Sequence, residues 1–196
     1  MAEKLNVVAG VDGGLEAAAP VAAPDEASAL IADLGLGPHP EGGWYREVHR
    51  SGEPVRRRDG GERAGLTVIL FLLVEGSISR WHRVRGADET WHHAGGSPLE
   101  LWRLPPGGGV AEAASLGPLR PAPIQPLQRP AFPQSQPPAL EPVLVVPAGW
   151  WQAARPLGAW SLVSCCVGPG FDFADFELLR HQPPEQHPAG ALAWLL

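Results

Sequence analysis

Residues Gly76 to Gly96 read GSISRWHRVRGADETWHHAGG and hold most of the side chains in this chain that could support chemistry. The last eleven of them include two carboxylates, two histidines and a tryptophan, and His82 lies just upstream. Such a run can form a metal site, a pocket for a sugar or an acid, or only the polar rim of a hairpin. The rest of the sequence is needed to choose among these interpretations.

Composition limits the classes of protein to consider. The 196 residues are 44% hydrophobic and 18% charged, with a net charge of -6, which suits one domain with a sizeable core. Nucleic acid is not expected as a partner, because its binding needs a basic surface. Without a signal-like start or an apolar run of about eighteen residues, we expect a cytoplasmic protein with no membrane contact. Cys165 and Cys166 are adjacent, which strains a mutual disulfide, so we expect free thiols.

The chain divides into a flexible N-terminal tail over residues 1–24, one domain over residues 25–180 and a C-terminal tail over residues 181–196. Asp25 can cap a helix, and Gly35 ends the apolar periodicity that follows it. The residues that share this helical spacing are Ala27, Leu30, Ile31 and Leu34. This pattern predicts one short amphipathic helix.

Beyond the helix the sequence predicts strands separated by Gly, Pro and Asp, which indicates an all-β sandwich or barrel. The expected strands are Trp44 to His49, Leu66 to Val74, Ser77 to Val84, Glu89 to His93, Leu99 to Leu104, Val143 to Val146 and Trp160 to Val167. Residues 118–142 carry nine prolines and are predicted to form an insertion outside the sheets.

The spacing of the opening stretch resembles the first sequence motif of the cupins. Gly76 is followed after five residues by His82, then after six residues by Glu89, and after six more by Gly96. Val84 stands where the motif has its second histidine. The resemblance therefore includes the spacing and departs from the motif at one metal ligand.

A second motif of the cupins has a counterpart in Pro147 to Gln152, which reads PAGWWQ and carries Gln152 in place of a histidine. The runs Pro38 to Glu47 and Gly168 to Phe173 further resemble a small cupin-like branch, the cupin-5-like domain of unknown function. The resemblance covers residues 25 to 179. It implies a cupin jelly-roll barrel with a short N-terminal helix, and a homodimer built partly from N-terminal strands.

The resemblance also implies a possible divalent metal, because a cupin with its full set of metal ligands holds nickel, zinc, iron or manganese with three imidazoles and one carboxylate. In this chain the candidate metal ligands are His82, Glu89 and Gln152. His93, on the same strand face as Glu89, could act as a substitute ligand. Val84 offers no donor. No cofactor is firmly predicted, and both a metal-bound and a metal-free site stay open.

We predict that His82 and Glu89 form a buried acid–base pair, with an inert ion pair as the alternative. The expected ligand-binding residues are Arg46, Trp91, His93, Trp102 and Gln152. An arginine among them would suit an anion. The predicted function is binding of a small polar or anionic ligand in a polar barrel pocket. The alternatives are an isomerase or epimerase that uses the two predicted catalytic residues, and a weak metal-dependent enzyme.

Overall fold

The computed structural model describes residues 25–119 and 140–196 of the chain. The predicted flexible tail, residues 1–24, lies outside the described residues, as does most of the predicted proline-rich insertion, residues 120–139.

The predicted helix is confirmed as α1, Asp25–Leu34. It ends where the Leu36 N–H bonds the Ile31 carbonyl oxygen at 2.9 Å. Its apolar side packs on the outer face of one sheet, where Ala27 is fully buried against Leu72 and Val74. No helix in the described part of the chain is long and apolar enough to cross a bilayer.

The described residues are mostly β-structure, as predicted. The strands are β1 Gly37–Pro38, β2 Trp44–Arg50, β3 Pro54–Arg56, β4 Glu62–Ala64, β5 Thr67–Val74, β6 Ser79–Val84, β7 Asp88–Gly96, β8 Leu99–Leu104, β9 Glu112–Leu116, β10 Leu140–Glu141, β11 Val143–Val146, β12 Trp151–Pro156, β13 Trp160–Gly168 and β14 Phe176–Leu178. Short 3₁₀ turns follow β13 and β14.

Two six-stranded sheets make up the body of the fold. The first has the order β1-β2-β5-β13-β7-β11, and the second has the order β10-β9-β8-β12-β6-β14. Their inner faces share one apolar core, in which Phe71 and Trp91 of the first sheet pack with Leu99 and Leu101 of the second. This face-to-face arrangement is the expected jelly roll, because apolar residues that alternate along each strand all point between the sheets.

Strand β12 was not predicted, although it lies in the centre of the second sheet. It pairs with β8 over six residues, from Trp151 opposite Leu104 to Pro156 opposite Leu99, and with β6 on its other side. Its sequence WQAARP contains no β-branched residue. Cross-strand packing on both sides overrides this weak local preference.

A second apolar cluster covers the outer face of the second sheet. Trp81, Trp102 and Trp151 pack there against Leu195, which is fully buried. The Trp81 indole N–H donates to the Leu192 carbonyl oxygen at 3.1 Å. The segment named the C-terminal tail, residues 181–196, therefore includes side chains that pack into the core.

Replacing Leu195 by alanine is expected to lower the free energy of unfolding by about 2 to 5 kcal/mol, because it removes a fully buried side chain and leaves a cavity. Urea denaturation measures the change. Val110→Ala is the control, because Val110 is 83% exposed and its truncation should cost less than about 0.5 kcal/mol. Equal effects of the two substitutions would show that the C-terminal segment does not contribute to the core.

Candidate functional site

Five buried polar side chains meet inside the fold, and we name them the interior polar cluster. Two come from the second sheet, one from the first sheet and two from the turn between β1 and β2. His82 and Gln152 belong to the second sheet, Glu89 to the first sheet, and His39 and Glu41 to the turn. Each is at most 7% exposed. The cluster therefore lies between the sheets and not on a hairpin rim.

The turn after β1 brings Glu41 into the interior. The His39 N–H bonds the Gly43 carbonyl oxygen at 3.0 Å, and the Gly42 N–H bonds the His39 carbonyl oxygen at 3.0 Å. Gly42 and Gly43 have φ values of +113° and +71°, which favour glycine. A Cβ on Gly42 would collide with the backbone of Ile78. The two glycines thus let the turn lie directly against the sheets.

The Glu41 carboxyl group contacts two imidazole rings and a hydroxyl. Ser79 donates a hydrogen bond to Glu41 Oε1 at 2.8 Å. Glu41 Oε2 lies 3.1 Å from His82 Nε2 and 3.4 Å from His39 Nδ1. One oxygen of one carboxyl group therefore faces two ring nitrogens.

The tautomer of His82 follows from its other contact. Its Nδ1 lies 2.7 Å from the Arg80 carbonyl oxygen, which can only accept, so Nδ1 carries the hydrogen and Nε2 presents a lone pair. His39 Nδ1 is also an acceptor, because the Glu41 backbone N–H donates to it at 3.4 Å. A proton on Glu41 Oε2 could donate to one of these two nitrogens at a time, and His82 Nε2, at 3.1 Å, is the nearer acceptor.

Burial has the same effect on all three groups and favours their neutral forms. It lowers the pKa of His82 to about 4, against a hydrogen bond to the Arg80 carbonyl that raises it. Burial, with the charge of His82, lowers the pKa of His39 to about 3. Burial, followed by the charge of Glu89, raises the pKa of Glu41 well above its ordinary value. Near neutral pH this part of the cluster is therefore a carboxylic acid beside two neutral imidazoles.

Glu89 is held by a different set of partners. Gln152 Nε2 donates to Glu89 Oε2 at 2.6 Å, and Gln152 Oε1 accepts from the Trp91 indole N–H at 2.9 Å. Burial raises the pKa of Glu89 to about 7, although hydrogen bonds from Gln152 and Cys165 lower it. Gln152 therefore links a tryptophan to a carboxyl group that titrates near neutrality.

The pairing of His82 differs from the one expected from sequence. The two predicted catalytic residues both lie in the interior polar cluster, but His82 bonds Glu41, and Glu89 bonds Gln152. Sequence reasoning did not single out His39 or Glu41. The signal that could have found them is the Gly-Gly pair directly after Glu41, because such a turn can carry a carboxylate into a barrel interior.

The predicted ligand-binding residues do not all meet. Trp91 and Gln152 belong to the hydrogen-bonded chain that holds Glu89. Arg46 is exposed on β2, beside Gly35 at the end of α1, on the outer side of the sheet. Trp102 packs on Trp194 at 5.1 Å between ring centroids, outside the second sheet. His93 is half-buried, with Nε2 3.4 Å from the Ser97 carbonyl oxygen.

The predicted metal ligands do not fit a transition metal in this arrangement. The oxygen of Gln152 already accepts the Trp91 N–H, and its amide nitrogen faces Glu89. Val84 is buried among apolar neighbours and supplies no donor. Across residues 25–119 and 140–196, no group of three or more His, Cys, Asp or Glu side chains is placed to hold a metal ion.

Comparison with known proteins assigns the family. Residues 28–179 match the family described as Cupin superfamily (DUF985). The chain belongs to this family. No protein of curated function matches it.

Two solved structures resemble this member of the DUF985 cupins along most of their length. A hypothetical protein from Leishmania major is 32% identical, with a TM-score of 0.62, and the match covers 77% of this chain and 85% of that one. A protein from Shewanella oneidensis is 32% identical, with a TM-score of 0.61 and coverage of 78% and 83%. Neither description states a ligand or a reaction, so the function has to be argued from the site.

The raised pKa of Glu89 gives stability a pH dependence. Between its ordinary value of 4.5 and about 7, the folded protein keeps a proton that the unfolded chain releases. The contribution of Glu89 to the free energy of unfolding therefore falls by about 3 kcal/mol as the pH rises through this window, because one pKa unit corresponds to about 1.4 kcal/mol. In Glu89→Gln this titration is absent, so the stability difference between wild type and variant should shrink from pH 5 to pH 8.

Urea denaturation at several pH values tests this expectation. The charge of Glu89 also helps to raise the pKa of Glu41, so the comparison is repeated in a Glu41→Gln background, where the titration of Glu41 is absent from both proteins. Glu112→Gln, at an exposed glutamate, controls for the lost charge. A difference between wild type and Glu89→Gln that stays constant from pH 5 to pH 8 would contradict the raised pKa.

Proposed function

We propose that this cupin binds a small, uncharged polar molecule between its two sheets, at the interior polar cluster. The observation that carries the proposal is the buried carboxyl group of Glu41, whose Oε2 lies 3.1 Å from His82 Nε2 and 3.4 Å from His39 Nδ1. A group of this kind offers hydrogen-bond donors and acceptors to a ligand without a net charge.

A purely structural role explains the cluster less well. Burying a polar group costs about 1 to 3 kcal/mol wherever its hydrogen bonds are incomplete, and apolar side chains would fill a space between two sheets at lower cost. Buried titratable groups with strongly shifted pKa values are concentrated at functional sites. Four such groups in one place, His39, Glu41, His82 and Glu89, therefore support a binding site.

The charges of the cluster favour a neutral ligand over the anionic one that the sequence had left open. No lysine or arginine forms an ion pair with the carboxyl group of Glu41 or Glu89 in the described part of the chain. Arg46, the residue expected to bind an anion, is exposed outside the first sheet. A carboxylate or phosphate would also meet Glu89, which carries part of its negative charge at pH 7.

Matched pairs of neutral and acidic probes test the proposal. We expect erythritol, D-galactose and myo-inositol to shift the NMR signals of His39, His82 and Gln152, and erythronate and galacturonate to leave them in place. Glu41→Ala should weaken binding of the neutral probes at least about tenfold, which corresponds to about 1.4 kcal/mol. The exposed Glu112→Ala should not change it. Binding of the acids alone, or binding that survives Glu41→Ala, would refute the proposal.

Isomerase-like or epimerase-like chemistry is the second candidate, and the 3.1 Å contact between His82 Nε2 and Glu41 Oε2 favours it. A neutral base and a neutral acid lie side by side. For a bound carbonyl compound, His82 Nε2 would take the proton from the carbon next to the carbonyl while Glu41 gives its proton to the carbonyl oxygen, which forms an enol. Return of the protons to the other positions restores the imidazole and the carboxylic acid.

Exchange of carbon-bound hydrogen in D₂O tests this chemistry with D-glyceraldehyde as the probe. The wild type should incorporate deuterium next to the carbonyl faster than buffer does, and His82→Gln should lose at least about a hundredfold of that rate. His49→Gln, at an exposed histidine, is the control. Binding of neutral probes without accelerated exchange would rule out this second candidate and leave the binding proposal intact.

A further inference from the structure

The interior polar cluster is closed, so a ligand has to displace part of its wall. Most of that wall is built from paired strands, and opening it there would break backbone ladders on both sides. Residues 171–176 are different: they lead from the loop after β13 to Phe176, the first residue of β14, and before Phe176 their regular structure is the 3₁₀ turn Phe173–Asp175. We name residues 171–176 the aromatic segment.

Two phenylalanine rings of the aromatic segment contact the two histidines of the cluster, and a third packs on those two rings. The ring centroid of Phe176 lies 5.5 Å from that of His82 and 5.9 Å from that of His39. Phe173 lies 6.4 Å from His39, with the ring planes 25° apart. Phe171 packs on both other phenylalanines, at 5.0 and 5.9 Å.

Exposure differs sharply among these rings. Phe176 is 8% exposed and belongs to β14, whereas Phe173 is 41% exposed and lies in the turn. His39, directly beneath Phe173, is 5% exposed. Phe173 and the half-buried Tyr45, whose ring centroid lies 4.5 Å from that of His39, therefore both lie between solvent and this imidazole, and of the two only Phe173 belongs to the aromatic segment.

A few contacts hold the aromatic segment in place. The Phe171 N–H donates to Thr67 Oγ1 at 2.9 Å, and the Phe171 carbonyl oxygen accepts from Arg50 Nη1 at 3.1 Å. The Asp175 carbonyl oxygen accepts from the Arg85 backbone N–H at 2.8 Å. The strongest anchor is Asp175 Oδ2, which accepts from Arg57 Nη1 at 2.8 Å and Arg63 Nε at 2.7 Å.

Asp175 is only 7% exposed, but it borders a cavity that is open to the surface. This cavity, of about 270 Å³, is also lined by Arg57, Asp59, Arg85 and Gly86. Breaking its ion pairs would therefore hydrate the charges and would not leave them buried and unpaired. A segment with few backbone hydrogen bonds to sheets opens at a lower free energy than the sheets themselves.

We propose that the aromatic segment is the entrance to the interior polar cluster and that Phe173 is the specificity-determining residue at its mouth. Phe173 moves off His39 to admit a ligand and then packs on it. The ligand class is a hydroxylated ring, with polar edges for the hydrogen-bonding groups of His39, Glu41 and His82 and an apolar C–H face for the phenylalanine ring. This inference rests on the proposed binding function for the ligand, but the entrance itself can be tested without any ligand.

Modification of imidazoles by diethylpyrocarbonate, followed by mass spectrometry, reports opening of the entrance. The reagent is small and uncharged and attacks neutral imidazole, and exposed His49 serves as the internal reference. Phe173→Ala should raise the modification rate of His39 at least about tenfold, because the phenylalanine ring that lies between solvent and His39 is absent. Asp175→Asn should raise it severalfold while Phe173 remains, because the anchor to Arg57 and Arg63 is weakened.

Matched variants separate opening of this segment from general loosening. Glu100→Gln weakens a comparable ion pair with Arg155, which joins β8 to β12 away from the aromatic segment, and should leave the rate at His39 unchanged. Trp194→Ala removes an aromatic ring that is 49% exposed at the other side of the second sheet, and should also have no effect. Rates at His39 that do not rise in Phe173→Ala and Asp175→Asn, or that rise equally in the control variants, would overturn the entrance.

Binding measurements with Phe173→Ala test the ligand class separately. Affinity for the ring compounds D-galactose and myo-inositol should fall at least about fivefold, whereas affinity for the acyclic erythritol should change little. Equal losses for all three probes would overturn the specificity role of Phe173. If the wild type binds none of the neutral probes while the modification rates change as expected, the proposed function is refuted and the proposal that the aromatic segment is an entrance stands.

Discussion

The proton on the carboxyl group of Glu41 is the constraint on which the interior of this protein depends. One oxygen faces two imidazole lone pairs, so an ionised carboxylate would repel both rings. The glycine turn that presents Glu41, the hydroxyl of Ser79 and the carbonyl group of Arg80 all fix this geometry. Burial favours the neutral forms of His39, Glu41 and His82 because it makes their charged forms costly, whereas the pKa of Glu89 is raised only to about 7.

Much of the fold could be predicted from local sequence patterns. Strands Leu99–Leu104 and Val143–Val146 have the expected bounds, and α1 ends at the residue before Gly35, where its apolar periodicity stops. Strand β12 could not be predicted in this way, because its residues carry little strand preference of their own. It forms because β6 and β8 supply partners on both sides.

The candidate site could be predicted only in part, for a related reason. Motif spacing identified His82, Glu89 and Gln152, which the structure brings into one cluster. It could not identify Glu41, whose contact with Ser79 joins residues 38 positions apart. Alternation along a strand tells which side chains share a face, but not which face is covered. The outward positions of Arg46 and Trp102 therefore could not be predicted from alternation. They follow from the packing of α1 on the first sheet and of residues 181–196 on the second.

Two hydrogen bonds connect Trp91 to Glu89, because the amide of Gln152 accepts from the indole N–H and donates to the carboxyl group. An indole N–H can only donate, so it fixes the amide orientation, and the amide nitrogen is in turn held by the carboxyl group. Gain or loss of the Glu89 proton changes the strength of its hydrogen bond with that amide, and with it the polarity around the indole ring. The surroundings of Trp91, one of the eight tryptophans of the chain, are thus coupled through a single amide to the ionisation of Glu89.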